Sequence, residues 1–178
     1  MAEASASPDA TDAPDREVLT WQGFGDASRE LATRIVDSGW VPDLIVAIAR
    51  GGLIPAGAIA YAMDVKAMGT MNVEFYSGVG QTLAEPVLLP PLMDVSAMDG
   101  KCVLVVDDVA DSGKTLKMVM DLIAEHGLTL DGGASVRVDA RSAVVYKKPV
   151  SIIEPDYVWR HTSQWINFPW STLPVIKP

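Results

Sequence analysis

Apolar runs that lead through glycine-bearing turns into helical patterns predict an α/β protein built on a mostly parallel sheet. Two segments carry that prediction. Residues 102–106, Cys-Val-Leu-Val-Val, have the length and β-branched content of a strand buried on both faces. A turn joins them to Leu116, Val119, Met120 and Ile123, which are apolar at helical spacing. Residues 44–49 repeat the arrangement, ending in Arg50-Gly51-Gly52 before Leu53, Ile54 and Pro55 open a helix. Each loop then lies at the carboxyl end of its strand, where open α/β sheets bind ligands. With 178 residues, 49% of them hydrophobic, the chain is long enough for one domain with a substantial core.

In chain order, residues 1–16 have no large apolar side chain after Met1. They cannot bury enough surface to offset their ordering entropy, so a disordered tail is expected. Residues 18–21 suit a short edge strand. Asp26 or Ser28 can cap a helix running to about Ser38, with Leu31, Ile35 and Val36 facing inward and Gly39 as its stop. Residues 44–49 form the first strand of the parallel sheet, and Pro55 is tolerated in the following first turn, where its missing N–H has no partner anyway. A third strand lies within 65–75. The polar stretch 76–82 and the long connection up to Lys101 read as a functional lid, with Asp99-Gly100 turning into the central strand. That strand is expected to stop at Asp107 and Asp108. The helix after it ends at His126-Gly127, where a histidine suits the helix C-terminus. Residues 128–139 read as irregular, 143–146 as a short strand running into Lys147-Lys148-Pro149. The segment 156–170 holds three of the five tryptophans.

The loop at 107–115 has specific chemistry. Free backbone N–H groups at the helix start, with the hydroxyls of Ser112 and Thr115, form a nest for a phosphate across Ser112, Gly113, Lys114 and Thr115. Gly113 lets the backbone approach closely. Two carboxylates beside a phosphate would repel it, so Asp107 and Asp108 suit sugar hydroxyls or Mg²⁺. Gly113-Lys114-Thr115 imitates the end of a Walker A loop, but that motif requires glycine where Asp108 stands, so it is rejected. At the other loop Gly51 and Gly52 expose amides, and Arg50 supplies a forked cation for phosphate oxygens. A 5-phosphoribose, hydroxyls at one end and phosphate at the other, fits the loop at 107–115.

Composition excludes other classes. A net charge of −9 argues against a nucleic-acid-binding protein, which would show a basic face. No apolar run approaches the ~18 residues of a membrane span. The single cysteine cannot form an internal disulfide, and the first residues lack signal-peptide character, so a cytoplasmic protein without nucleic-acid or membrane partners is expected.

The string from Cys102 to Leu116 resembles the phosphoribosyl-pyrophosphate motif of the type I phosphoribosyltransferases: apolar strand, two acidic residues, two small residues, Asp, Ser or Thr, Gly, helix. Arg50-Gly51-Gly52 matches that family's pyrophosphate loop. The Trp-Ile-x-x-Pro-Trp string at 165–170 and a lysine before proline, Lys148-Pro149, are similar to the base-binding hood of its xanthine–guanine and hypoxanthine members. The resemblance implies a twisted, mostly parallel sheet flanked by helices over 17–150, with a small C-terminal hood over 151–178. It implies transfer of ribose 5-phosphate from phosphoribosyl pyrophosphate to N9 of hypoxanthine, guanine or xanthine, with Mg²⁺ as cofactor and a homo-oligomer, dimer or tetramer, as the working form.

The roles it implies attach to named positions. Ser112 to Thr115 hold the 5-phosphate, and Asp107 and Asp108 the ribose hydroxyls, with Asp108 reaching the metal directly or through water. Arg50, Gly51 and Gly52 hold the leaving pyrophosphate, and the lid folds over the reacting centre. Asp111 handles the imidazole proton of the base. Trp165 stacks on the ring, the Ile166 backbone faces its edge and Lys148 donates to O6. One position departs from the pattern: Asn167 stands where the xanthine–guanine enzymes carry an acidic residue. Two rival readings are a regulatory protein that senses phosphoribosyl pyrophosphate without catalysis and a transferase for another base. Retention of Asp111 and Lys148 weighs against the first, and Lys148 with Trp165 against the second.

Overall fold

A strand that is apolar on both sides needs cover on both sides, and that requirement sets the layers here. The computed structural model describes residues 16–74, 77–78, 81–82, 87–88, 98–129 and 135–177. In order these form β1 (Arg16–Val18), α1 (Trp21–Asp37), β2 (Leu44–Ala49), α2 (Leu53–Met63), β3 (Met68–Glu74), β4 (Ser77–Gly78), β5 (Gln81–Thr82) and β6 (Val87–Leu88). There follow β7 (Cys102–Ala110), α3 (Lys114–His126), β8 (Leu128–Thr129), β9 (Ser135–Val136), β10 (Asp139–Lys147), β11 (Tyr157–His161) and β12 (Trp165–Asn167). The main sheet runs β11-β10-β7-β2-β3-β6, parallel throughout except for β6, which lies antiparallel to β3. Side-chain alternation splits its core. Ile45, Ala47, Leu104 and Val106 pack under α1 and α2 with Leu31, Ile35 and Ile59, whereas Val46, Val103 and Val105 pack with Leu116, Val119 and Ile123 of α3. Among the described residues no helix is long and apolar enough to cross a membrane.

From β2 the chain moves to β3 on one side and, through β7, to the other. The crevice between the carboxyl ends of β2 and β7 is therefore the topological switch point of the sheet, where such folds take their ligands. Both glycine-bearing loops open there.

Several sequence expectations are corrected. The central strand does not stop at Asp107 but continues to Ala110, because pairing with β10 extends to Tyr146↔Val109 and Lys147↔Ala110. The partner strand is correspondingly nine residues, Asp139–Lys147, not four. The first helix starts at Trp21, where the Thr20 hydroxyl accepts from the Gly23 N–H at 3.0 Å, and not at Asp26 or Ser28. Val36 is half-exposed and so is not part of that helix's inner face, while Leu31 and Ile35 are. Within 128–139 the described residues include a short antiparallel pair, β8 with β9. Strand β11 joins the main sheet beside β10, so the segment after 150 divides: β11 belongs to the sheet, and β12 pairs in parallel with β1. The hood is thus closed by both ends of the chain. Residues 1–15 of the expected tail, and most of the expected lid (75–76, 79–80, 83–86 and 89–97), lie outside the described residues.

Candidate active site

β2 ends at the rim of the crevice and passes through a cis Ala49–Arg50 peptide into Gly51 and Gly52, after which α2 begins. Gly51 sits directly against the end of β7: a Cβ there would collide with the Asp108 carboxylate. The absence of a side chain is what lets the two loops share one site. Arg50, Gly51 and Asp108 line an open cleft of about 840 Å³, with Leu53, Ile54 and Trp170 and the C-terminal residues after it. The guanidinium of Arg50 makes no ion pair among the described residues.

On β7, Asp107 Oδ1 accepts from the backbone N–H of Asp108 at 2.9 Å. Both carboxyls are partly buried. Burial, then the neighbouring Asp108 charge, push Asp107 well above the usual carboxylate range. Burial likewise pushes Asp108 up to about 6, opposed by hydrogen bonds from the backbone and from the Trp170 side chain. Among the described residues neither is paired with a lysine or arginine. A pair of desolvated carboxylates without a protein cation is a donor set that fits a hard divalent cation, and Mg²⁺ takes one or two carboxylates with substrate oxygens supplying the rest.

Beyond Ala110 the chain turns through Asp111 and Ser112 to Gly113, whose φ of +75° places it in the left-handed region favouring glycine. A Cβ at this position would also collide with the Ser151 hydroxyl. Gly113 precedes α3, so the N–H groups of its first turn have no helical acceptor. The Ser112 hydroxyl accepts from the Lys114 N–H at 3.5 Å, and the Ser112 carbonyl accepts from Ile152 N at 3.0 Å. Thr115 lies half-buried in the first turn of α3. Lys114 also lines a groove along α3 with Lys117 and Asp121.

The register that extends β7 also builds the second half of the site. Lys147↔Ala110 is the last pair of the β7–β10 ladder, which places Asp111 and Lys148 side by side one residue further on. The Lys148 N–H donates to the Ala110 carbonyl at 3.1 Å, and its Nζ lies 3.5 Å from Asp111 Oδ1 and 5.5 Å from the centre of the Trp165 ring. Trp165 is 62% exposed, so a large face is open. Asp111, Lys148, Trp165, Ile166 and Asn167 line a cleft of about 300 Å³ with Val109 and Arg16. The two adjacent lysines are not a solvated pair: their side chains are only 12% and 14% exposed, and Lys147 turns away to Glu154 at 2.7 Å.

With the geometry in place, the comparisons decide the family. The model of the phosphoribosyl transferase domain matches residues 15–174. The chain belongs to the phosphoribosyl transferase family. Among its relatives in that family, a xanthine-guanine phosphoribosyltransferase of Gluconobacter oxydans is 32% identical over 162 residues, covering 90% of this chain and 87% of that one. One from a Ruegeria species is 35% identical over 172 residues, covering 90% and 88%. A solved purine phosphoribosyltransferase from Pyrococcus horikoshii shares the phosphoribosyl transferase fold with a TM-score of 0.71 at 34% identity, covering 92% and 99% of the two chains.

Two site residues escaped the sequence reading. Arg16 falls in the expected tail, and the edge strand is expected at 18–21, whereas β1 spans Arg16–Val18 and Trp21 begins α1; the adjacent charges of Arg16 and Glu17 show no alternation that would mark the strand. Trp170 reads as one member of an aromatic cluster; it is stacked on Phe168 at 4.9 Å and lines the cleft with Asp108. Nothing local in the sequence distinguishes its indole N–H from that of Trp159, which donates to Glu30.

Proposed function

We propose that the protein transfers ribose 5-phosphate from phosphoribosyl pyrophosphate to N9 of a 6-oxopurine (hypoxanthine, guanine or xanthine), releasing pyrophosphate, with Mg²⁺ required. The observation that carries this reading is the placement of Lys148. It stands between Asp111 and the open face of Trp165, at the end of the strand next to the phosphate loop. An ammonium donates and cannot accept, so it suits an oxo group on a stacked ring. The names of the relatives support the same substrate class.

In this reading the N–H groups from Ser112 to Thr115 hold the 5-phosphate, and Asp107 and Asp108 accept from the ribose hydroxyls. Arg50, Gly51 and Gly52 hold the pyrophosphate, where charge develops as the bond to the sugar breaks and where fixed donors assist most. Trp165 and the Ile166 backbone position the base, and Lys148 donates to O6. Asp111 accepts the imidazole proton as the new C–N bond forms. Mg²⁺, held by Asp108 with Asp107 beside it, would neutralise diphosphate charge when bound. A cytoplasmic location belongs to the same proposal, supported by the single, unpaired Cys102. So does a homo-oligomer, dimer or tetramer, supported by the exposed Tyr61 ring on α2.

The test is a panel of free bases incubated with phosphoribosyl pyrophosphate and Mg²⁺, following pyrophosphate release and nucleotide formation. Turnover of at least one 6-oxopurine and none of adenine is expected. Binding of phosphoribosyl pyrophosphate without turnover of any base would replace the proposal with a sensor.

A further inference from the structure

The base cleft has a wall that the phosphoribosyl chemistry does not require. β1 and β12 pair in parallel, with Arg16 opposite Trp165 and Val18 opposite Asn167. Paired residues in such a ladder point to one face, and residues two apart share it. Arg16, Trp165 and Asn167 therefore stand on one face of the hood ribbon, and all three line the cleft. Glu17 and Ile166 take the other face: Ile166 is buried, and Glu17 accepts from the Tyr146 hydroxyl at 3.2 Å. Arg16 Nη1 donates to Asn167 Oδ1 at 3.2 Å. Among the described residues Arg16 meets no carboxylate, so it brings an uncancelled positive charge and spare N–H donors to the cleft. An Asp or Glu at position 167 would cancel that charge; Asn167 holds the guanidinium and leaves it cationic. Lys148 already serves the 6-oxygen, and the two loops serve the phosphates.

We propose that Arg16, held by Asn167, determines specificity at the purine 2-position, favouring a 2-oxo over a 2-amino substituent and hence xanthine over guanine. The inference rests on the base-transfer reading above. A guanidinium only donates. A 2-oxo group accepts from it, whereas a 2-amino group sets N–H against N–H and leaves both desolvated donors unmatched. Xanthine is also the most acidic of the three 6-oxopurines, and a nearby cation favours its anionic form.

The experiment compares kcat/KM for xanthine, guanine and hypoxanthine in the parent and in Arg16→Gln, Arg16→Lys and Asn167→Asp. Ratios between bases are measured on one preparation, so a partly unfolded variant still gives a valid ratio. The parent is expected to prefer xanthine to guanine by about 10-fold or more, as a charge-assisted hydrogen bond allows. Arg16→Gln should lower the xanthine-to-hypoxanthine ratio by about 10- to 100-fold, and Arg16→Lys should restore part of it. Asn167→Asp should move the xanthine-to-guanine ratio towards guanine. A parent that uses guanine as well as xanthine, or ratios that do not move in the variants, overturns the proposal. Absence of turnover with every base in the parent overturns the transferase reading instead.

Discussion

Asp111 and Lys148 form an ion pair at 3.5 Å, and in the proposed reaction a base placed between them would give the mostly buried Lys148 ammonium a new partner. Asp111→Asn should lower kcat by about 10²–10⁴-fold, the usual worth of general-base assistance, with little change in phosphoribosyl-pyrophosphate affinity. Equal turnover in steady-state assays would remove Asp111 from the chemistry. Lys148→Ala should lower kcat/KM for hypoxanthine by about 10- to 100-fold. Lys147→Ala, which breaks only the contact with Glu154, should leave catalysis nearly intact. Asp108 gives a prediction in pH. Its carboxyl titrates at about 6 in the folded chain against an ordinary 3.8, so ionisation opposes folding. Stability from this group is complete below the unfolded value and is lost as pH rises through the folded one. In metal-free buffer Asp108→Asn should therefore melt roughly 4–8 °C above the parent at pH 7.5, for about 2 kcal/mol, while losing activity. The gain should vanish near pH 4; thermal melts at the two pH values would show an equal gain if burial of the charge is not the cause.

At the scale of elements, the site is two strand-to-helix turns pressed together. The contact between Gly51 and the Asp108 carboxylate leaves no room for a methyl group. Gly51→Ala should push the loops apart, destabilising the protein by about 1–3 kcal/mol as overpacking does. It should also raise KM for phosphoribosyl pyrophosphate. Denaturant titration and initial-rate kinetics on the same preparation check both, and an unchanged KM would show that the loops act independently. The turns themselves were legible, because apolar runs end at residues with obvious chemistry. Their depth was not: a run of side chains appears to close at Asp107, whereas backbone pairing with β10 carries the strand three residues past it.

Across the whole molecule, a chain of net charge −9 gathers Arg16, Arg50 and Lys148 around its crevice, so local donors act against the global field. Two of those three cations sit where distant parts of the chain meet. Removal of residues 1–15 should leave turnover within about twofold, since their composition supports no packed contact. Removal of residues 1–18 takes away β1 and with it the pairing of Trp165 and Asn167, and it should cost at least about 10-fold in kcat/KM for the base through a loosened cleft. Kinetics of the two truncations decide whether the ribbon matters. Equal activity would mean that the hood stands without it.

The sequence by itself determined the fold class, the two glycine-bearing strand-to-helix turns and the match of its motifs to a family. Those features are written in contiguous residues, as in 44–52 and 102–116, where periodicity and turn chemistry act over a few positions. Only the tertiary structure decided that Arg16 lines the cleft beside Trp165 and that Trp170 lines another with Asp108. It also showed Lys148, but not Lys147, reaching Asp111. Each of these depends on a strand register or a packing contact between residues far apart in the chain. A shift of one residue in either ladder would turn those side chains to the opposite face, and no local pattern records which register wins.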